Sequence, residues 1–597
     1  MSSTTSPNVN GDPGLTSTQA AAVSSGGVYP GLRTVLFGDS MTSQYYVDTA
    51  PASATYVPDS GVLTITDTSH GLATGWSVDV FNRSYAALKI HQRLQLTRVN
   101  ADTYTVNVGA NLSGLPGGAL TGTTYCRVPS RVAGNSWVNW MQMLLGQPFQ
   151  VVYNGAQSGD TSADCLARLQ RHCLAYSPQV VVAQLPGIND MSTGNGPVDE
   201  ETIYLNNVSL IDQIASAGAF GLYGAITPVA SGEARGTVQN MARVERLNRR
   251  LRTYVNQKRG TAWVDHYSAV VNPTDTTGLA TASWLKTTDK IHYSIPGALA
   301  AGKRGKTVTA ALFPSNFGTL PRSVVGSYGG AKVTASSVTV SGGVATFTSG
   351  SAHGLLAGET VGVFNSSTSG VNGWVRILSV PSSTTFTFAC TAVDGAAAGT
   401  ITASRSRNIF DNCVLSTATG GGVTAPVTGT VADGINCRFH SGSGTAVASV
   451  IAHPDGYGNM QRLVTSAAVL NDLPGFQSEV TSTLNQFAIA GEKYVFEADY
   501  RPSSANWANT PVSELMFRLI VNVDGVLYSA YAVNTYDGLT ANSIGEDLVL
   551  HVRTAELVIP AGTVSQFYFQ VYLRANGNVT ANLTQDLGCI AINRIDP

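Results

Sequence analysis

The spacing of apolar and polar positions changes character several times along the chain. Thr34-Val35-Leu36-Phe37 is a short apolar run that predicts a buried strand, and it ends in Gly38-Asp39-Ser40. From about Ala50 to Arg127 the runs are short and alternating, as in Val62-Leu63-Thr64-Ile65-Thr66 and Thr103-Tyr104-Thr105-Val106. Gly, Asn and Pro punctuate them, which predicts a small all-β unit. From Asn135 the period lengthens, and Trp137, Trp140, Met141, Leu144 and Leu145 fall at helical spacing. A strand over 149–153, a helix over 162–174 and a strand over 180–185 follow. Then come a helix over 200–217, a strand over 221–226, a long basic helix over 238–257, a strand over 261–264 and a last helix from Pro296. Strands alternating with helices predict a parallel sheet covered on both faces. The small β unit therefore interrupts an α/β domain just after its first strand.

The chain also repeats itself. Ser69-His70-Gly71-Leu72, with Gly75, Val78, Val80, Phe81 and Asn82, recurs as Ala352-His353-Gly354-Leu355 with Gly358, Val361, Val363, Phe364 and Asn365. Thr103-Tyr104-Thr105-Val106 answers to Thr385-Phe386-Thr387-Phe388. The shared residues are those that a bend and a core require, so the His-Gly pairs read as turn positions and not as ligands. The two copies look like small β-barrel modules, related to a domain of ubiquitin-activating enzymes, that recur in phage tail proteins. From Asn408 onward the texture is all-β, with long apolar strands such as Leu515 to Val523 and Phe567 to Leu573. Joined by Gly/Asn/Pro turns, these suggest a jelly-roll sandwich that resembles carbohydrate-binding modules in texture. Tyr457 and Trp507 are its candidate sugar-stacking residues, with ordinary packing as the competing reading.

Composition narrows the setting. Of 597 residues, 43% are hydrophobic and only 12% charged, with 62 glycines, a style of β-rich extracellular or virion proteins. The formal net charge is -2 and no Lys/Arg run stands out, so neither nucleic acid nor an anionic membrane is an expected partner. Seven scattered cysteines without a C-x-x-C pair predict buried free thiols, not a disulfide framework or a zinc site. The first 27 residues have no basic segment followed by an apolar core, so no Sec signal is expected, and no stretch is apolar enough to span a bilayer.

The candidate chemistry lies at the strand ends of the α/β domain. Ser40 closes the first strand, where a sharp turn exposes a nucleophile at the carboxyl edge of a sheet. Asn154-Gly155-Ala156-Gln157-Ser158-Gly159-Asp160 follows the second strand, Gly187-Ile188-Asn189-Asp190 the third, and Asp289-Lys290-Ile291-His292 precedes the last helix. Asp265 and His266 offer a second acid–histidine pair, rejected because adjacent residues on a strand point to opposite faces. His172, on a helix, reads as a surface or packing residue.

Taken in order, these four blocks resemble those of the SGNH (GDSL) hydrolases. That resemblance implies Ser40 as nucleophile, His292 as base and Asp289 as its orienting acid. It implies an oxyanion hole from the backbone N–H groups of Ser40 and Gly159 and the side-chain amide of Asn189, with no metal and no organic cofactor. Met41 departs from the Leu that often follows the serine, and the gap from Ser40 to Gly159 is lengthened by the β insert. The expected organisation is a polar segment over 1–30 and an SGNH-type α/β domain over 31–312, interrupted by a small β-barrel over 50–127. A linker over 313–335, a second small β-barrel over 336–404 and a jelly roll over 405–597 complete it. A chain ending near Phe313 is expected to keep its full rate on a small ester, since the C-terminal segment carries none of these residues.

Together the modules look like a phage tail spike or fibre whose esterase removes O-acetyl groups from capsule or O-antigen. Bacterial surface polysaccharide and other tail proteins are then the expected partners, on a virion or outside the cell. Proteins of this kind are commonly homotrimers, although no heptad run or β-helix ladder here adds to that expectation. A secreted bacterial carbohydrate esterase and a catalytically decayed receptor-binding adhesin are the alternatives.

Overall fold

Five short apolar runs become the strands of one sheet. The computed structural model describes residues 31–595 except 83, 86–87, 89–91, 192–197, 275, 314–326, 420–421, 480–482, 505, 507–511 and 535–547. The strands are β1 (Leu32–Gly38), β2 (Phe149–Asn154), β3 (Val180–Gln184), β4 (Phe220–Gly224) and β5 (Thr261–Val264). All pair in parallel, in the order β2-β1-β3-β4-β5. The inner strands β3 and β4 are buried throughout, which is why they read as unbroken apolar runs and not as alternation. The chain leaves β1 for β2 on one side and then crosses to β3 on the other. The carboxyl end of β1 is thus a topological switch point, the usual place for a site on such a sheet.

Among the described residues, the helices of this domain are α1 (Ser40–Ser43), α2 (Trp137–Leu145), α3 (Ser162–His172), α4 (Glu200–Ser216), α5 (Val238–Gln257), α6 (His266–Val270) and α7 (Ile295–Leu312). Helix α3 starts in a capping box between Thr161 and Asp164. Helix α5 turns Met241, Val244, Leu247, Leu251 and Val255 inward, while Arg246 and Arg250 pair with Glu200 and Glu201 of α4. All nine residues of α2 are buried, polar ones included. Asn139 and Gln142 are satisfied there by the Ala532 carbonyl (2.8 Å) and the Tyr45 hydroxyl (3.2 Å). The face that periodicity leaves for solvent is therefore covered by the C-terminal region.

The reading of Asp265 and His266 as strand residues is corrected. Strand β5 ends at Val264, Asp265 N-caps α6 through Ser268, and His266 is the first residue of that helix. Its ring is fully buried, edge-on to Trp137 at 4.2 Å, and neither ring nitrogen has a hydrogen-bond partner among the described residues. Burial pushes it down to about 3, so it is a neutral core group. His172 is also buried and meets the Tyr153 hydroxyl at 3.1 Å.

The two sequence repeats share one strand order. In the second copy, Val333–Ser341 pairs with both Val344–Ser349 and Gly399–Ser404, which closes a barrel of six strands. In the insert the equivalent of that first strand is split into Tyr46–Thr49 and Ser53–Val57, with Pro51 at the break. Proline has no N–H to give a ladder, so the strand is interrupted there. Tyr46–Thr49 pairs with Thr124–Ala133, and Ser53–Val57 pairs with Val62–Thr66. The repeated histidines play matching roles. Nδ1 of His70 accepts the Leu72 N–H (2.9 Å), and Nδ1 of His353 accepts the Leu355 N–H (3.0 Å). Each ring stands edge-on to an aromatic, Tyr104 or Phe386. These are turn-forming residues.

The C-terminal region folds as two β-sheets. One contains Thr445–Ala452, Asn459–Ala467, Leu583–Ile595 and Lys493–Ser504. The other contains Ile435–Phe439, Pro474–Ser478, Val564–Ala575, Val512–Val523 and Val526–Asn534. This second sheet continues without a break into the insert, because Val526–Asn534 pairs in parallel with Thr124–Ala133. A single apolar core accordingly runs from α2 and α7 through the insert into both C-terminal sheets. Six of the seven cysteines are buried free thiols, and Cys390 is partly exposed.

Candidate active site

Gly38 and Asp39 set the turn that carries Ser40. Gly38 adopts φ +119°, and a Cβ there would lie 2.5 Å from the Gln184 carbonyl oxygen, so only glycine lets β1 run beside β3 to its end. The Asp39 carboxylate accepts the Met41 N–H at 3.0 Å and N-caps α1, which places Ser40 in the first turn. Thr42 then ties α1 to β3 by accepting the Gln184 N–H at 2.9 Å.

The Asp289–His292 turn forms a tight local unit. One Asp289 oxygen accepts the backbone N–H groups of Ile291 and His292, both at 2.9 Å, and the other meets His292 Nδ1 at 2.8 Å. Burial alone would raise this carboxyl, but hydrogen bonding and charge from His292, with the two N–H groups, hold it well below the usual carboxylate range. With Nδ1 committed to Asp289, Nε2 is the free face of the imidazole. Nε2 is buried and has no hydrogen-bond partner among the described residues. The adjacent Tyr293 reaches Gln184 at 3.4 Å, the residue whose N–H Thr42 holds, so this turn is anchored to the segment that bears Ser40. No hydrogen bond links Ser40 Oγ to His292 among the described residues, a separation that hydrolases without substrate commonly show.

The proposed oxyanion donors are arranged by their neighbours. Asn189 donates from Nδ2 to the Asp160 carbonyl at 2.9 Å, while its Oδ1 accepts from Arg235 Nη1 at 2.8 Å. This fixes the orientation of the amide and leaves its second N–H available. Gly159 adopts φ +78°. Neither its N–H nor that of Ser40 donates to a backbone carbonyl among the described residues.

Two arginines that pattern reading passed over hold this framework. The Arg168 guanidinium, 6% exposed, bonds the Gly38 carbonyl at 2.7 Å and also binds the Gly155 carbonyl and the Asp160 carboxylate. It ties the Ser40 block to the block that bears Gly159. Its signal was present in the sequence, since Cys165, Arg168, Leu169 and His172 form the inward stripe of α3 and arginine stands where an apolar residue belongs. Arg235, on the loop after β4, had no comparable signal. Around Arg168, burial lifts Asp39 from 3.8 to about 7 against the Met41 hydrogen bond, with Asp160 and Asp190 adding to the rise. Burial also raises Asp190, opposed by its hydrogen bonds from Ser162.

Outside this site, His453, Asp499 and Cys589 bring polar atoms within 4.8 Å of one another in the C-terminal region. Nδ1 of His453 accepts the Asp455 N–H at 3.1 Å, so the proton of the neutral ring sits on Nε2 and points at Asp499 (3.2 Å). Asp499 also meets His551 Nδ1 at 2.5 Å. That is a hydrogen-bond chain, with no imidazole lone pair offered to a metal. Tyr457 is half-buried against the His453 ring, and Trp507 lies outside the described residues.

The sequence profile of the GDSL-like lipase/acylhydrolase family matches residues 120–298. The match begins inside the insert, so β1 and Ser40 lie on its far side. No curated protein sequence matches the chain. Among solved structures it is similar to a putative lipolytic protein of the G-D-S-L family from Desulfitobacterium hafniense, at 16% identity over 29% of this chain and 87% of that one, with a TM-score of 0.24. A GDSL-like lipase from Bacteroides thetaiotaomicron matches at 20% identity over 29% and 83%, also at 0.24. An acetyl xylan esterase matches at 14% identity over 28% and 88%, again at 0.24. The profile match covers three of the four blocks, so the α/β domain is similar to the GDSL-like lipases and acylhydrolases, a family of ester hydrolases.

Proposed function

We propose that this esterase removes O-acetyl groups from a bacterial surface polysaccharide, capsule or O-antigen, as a component of a phage tail spike or fibre. The observation that carries the reading is how closely the β modules are built into the catalytic framework. The first strand of the insert starts at Tyr46, directly after α1 ends at Ser43. On the returning strand, the buried Arg127 donates to the carbonyls of Asn154 (3.2 Å) and Ala156 (3.1 Å), inside the block that bears Gly159. A module rooted on both sides of the site is suited to guiding a chain-like substrate. The two-sheet C-terminal region supports the jelly-roll, carbohydrate-binding reading, and the repeated small barrels support the tail setting, where neighbouring tail proteins and a homotrimer would be partners.

The chemistry is two-step acyl transfer. His292 takes the Ser40 proton at Nε2 as Oγ attacks the acetyl carbonyl, while Asp289 stabilises the imidazolium. The oxyanion is received by the N–H groups of Ser40 and Gly159 and by the Asn189 amide. The sugar hydroxyl leaves with the proton from His292, and water releases acetate by the reverse route.

Release of acetate from O-acetylated host polysaccharide, followed by NMR, tests this reading. Acetate should appear with the wild-type enzyme and not with Ser40→Ala. In a p-nitrophenyl ester series kcat/KM should be highest for acetate. A steady rise towards decanoate, with no acetate released from polysaccharide, would replace the reading with a lipase.

A further inference from the structure

The outer face of one C-terminal sheet holds a second polar site. Along Ile435–Phe439, the residues Ile435, Cys437 and Phe439 point into the core, which turns Arg438 to the opposite face. Strand register brings Gln477, Gln570 and Arg518 side by side on that face, since Gln477 pairs with Gln570 and Gln570 with Arg518. The three are linked: Arg518 Nε donates to Gln570 Oε1 at 2.9 Å, and Gln570 Nε2 donates to Gln477 Oε1 at 2.9 Å. Gly475 lies between Arg438 and Tyr572 in the register. A Cβ on Gly475 would fall 2.1 Å from the Val571 carbonyl oxygen and 2.7 Å from Tyr572 Cβ, so the floor is bare at that point. The result is a cavity of about 300 Å³, bounded also by His440 and Tyr568.

Its charge is one-sided. Arg438 and Arg518 are the charged residues of its lining, and no aspartate or glutamate lines it among the described residues. Arg438 Nε is buried without a hydrogen-bond partner among them. Half-buried guanidinium groups without a counter-charge are costly, and an anion bound between them would remove that cost. Burial, with the charges of Arg438 and Arg518, pushes His440 down to about 3, so the ring is neutral and adds no competing charge. The remaining lining suits a sugar. Gln477 and Gln566 offer amide N–H groups for hydroxyls, and Tyr568 and Tyr572, 8% and 5% exposed, give the wall an aromatic stretch for the C–H face of a pyranose. The volume is at the small end of ligand sites.

We propose that this cavity binds a carboxylate-bearing sugar unit, its carboxylate between Arg438 and Arg518 and its ring against Tyr568 and Tyr572, so that the polymer engaged by this protein is an acidic polysaccharide. The inference rests on the polysaccharide reading above and names the chemical class. It is separable from that reading because binding is measured without hydrolysis.

The test is calorimetric titration of the full-length Ser40→Ala protein with trigalacturonate and sialyllactose, against their neutral counterparts maltotriose and lactose, and against inorganic phosphate. At least one acidic sugar should bind tenfold or more tightly than its neutral counterpart and than phosphate. Arg438→Gln and Arg518→Gln should each weaken it tenfold or more, and Tyr572→Leu should weaken it without removing a charge. In the Ser40 background, Arg438→Gln and Arg518→Gln should leave turnover of p-nitrophenyl acetate unchanged, which also verifies folding. Occupancy should raise the titration midpoint of His440, read by NMR, and either arginine substitution should abolish that rise. Equal binding of acidic and neutral sugars, phosphate binding as tightly as the acidic sugar, or indifference to all three substitutions would overturn the proposal. So would sedimentation showing that this face is closed by a second copy of the chain. Acidic-sugar binding without acetate release from any polysaccharide would refute the deacetylase reading and leave this one standing.

Discussion

Arg235 donates a hydrogen bond to Oδ1 of Asn189 at 2.8 Å and so decides which way the amide faces. Glu233, 3.3 Å from the Arg235 guanidinium, holds the arginine in turn. Asn189→Ala should lower kcat by about 10²–10³, the usual loss for one oxyanion donor. Arg235→Met removes no donor to the oxyanion, only the group that orients one, so it should cost less. The expected result is a fall in kcat with little change in KM, partly restored by Arg235→Lys. An effect on KM alone would make Arg235 a substrate contact instead.

Arg168 is the structural keystone of the site. Its removal leaves the Asp160 carboxylate buried without a counter-charge, close to Asp39 and Asp190, and frees the Gly38 and Gly155 carbonyls. Arg168→Met should therefore lower stability by about 3–5 kcal/mol, the range for breaking a buried pair from one side. Adding Asp160→Asn should recover part of the loss in urea unfolding. A loss no larger in the single variant than in the double would show that the pair does not matter.

Asp39 links stability to pH. Its carboxyl titrates near 7 in the folded chain and near 3.8 when unfolded, so between these values the native state holds the extra proton. Stability from this group is therefore greatest below about pH 4 and declines as pH rises to about 7, by at most about 4 kcal/mol. Asp39→Asn keeps the cap on α1 and should remove the decline. The difference between wild-type and variant unfolding curves, taken from pH 4 to 8, should widen in favour of the variant.

Three of the four candidate blocks were legible because each falls where an apolar run stops, and strand ends are what binary patterning marks most clearly; the Asp289–His292 block was marked by the helix that follows it. Helix α5 was legible to the residue, since its inward stripe is apolar but for Asn248 and its outward face is charged. The roles of Arg168 and Arg235 depend on partners distant in sequence, which no local pattern encodes. The burial of Asn139 and Gln142 in α2 was hidden for the same reason, because their partners are the Ala532 carbonyl and the Tyr45 hydroxyl.

That contact also reverses an expectation about separability. The Gln147 amide donates to the His551 carbonyl at 2.8 Å, and Trp76 Nε1 donates to the Val558 carbonyl at 3.1 Å. With one apolar core crossing from α2 and α7 into both C-terminal sheets, a chain ending at Phe313 would expose its largest apolar face. It should aggregate or lose activity even on a small soluble ester. A monomeric truncated chain with the full rate would restore the view of the α/β segment as an independent unit.

In the proposed mechanism Ser40, activated by His292 and Asp289, forms the acyl-enzyme. Treating the protein with a fluorophosphonate and mapping the adduct by mass spectrometry tests it directly. One adduct per chain is expected, on Ser40, with loss of p-nitrophenyl acetate turnover in step with labelling, and no adduct on Ser40→Ala. An adduct on another residue with parallel loss of activity, or full labelling of Ser40 with activity retained, would contradict it.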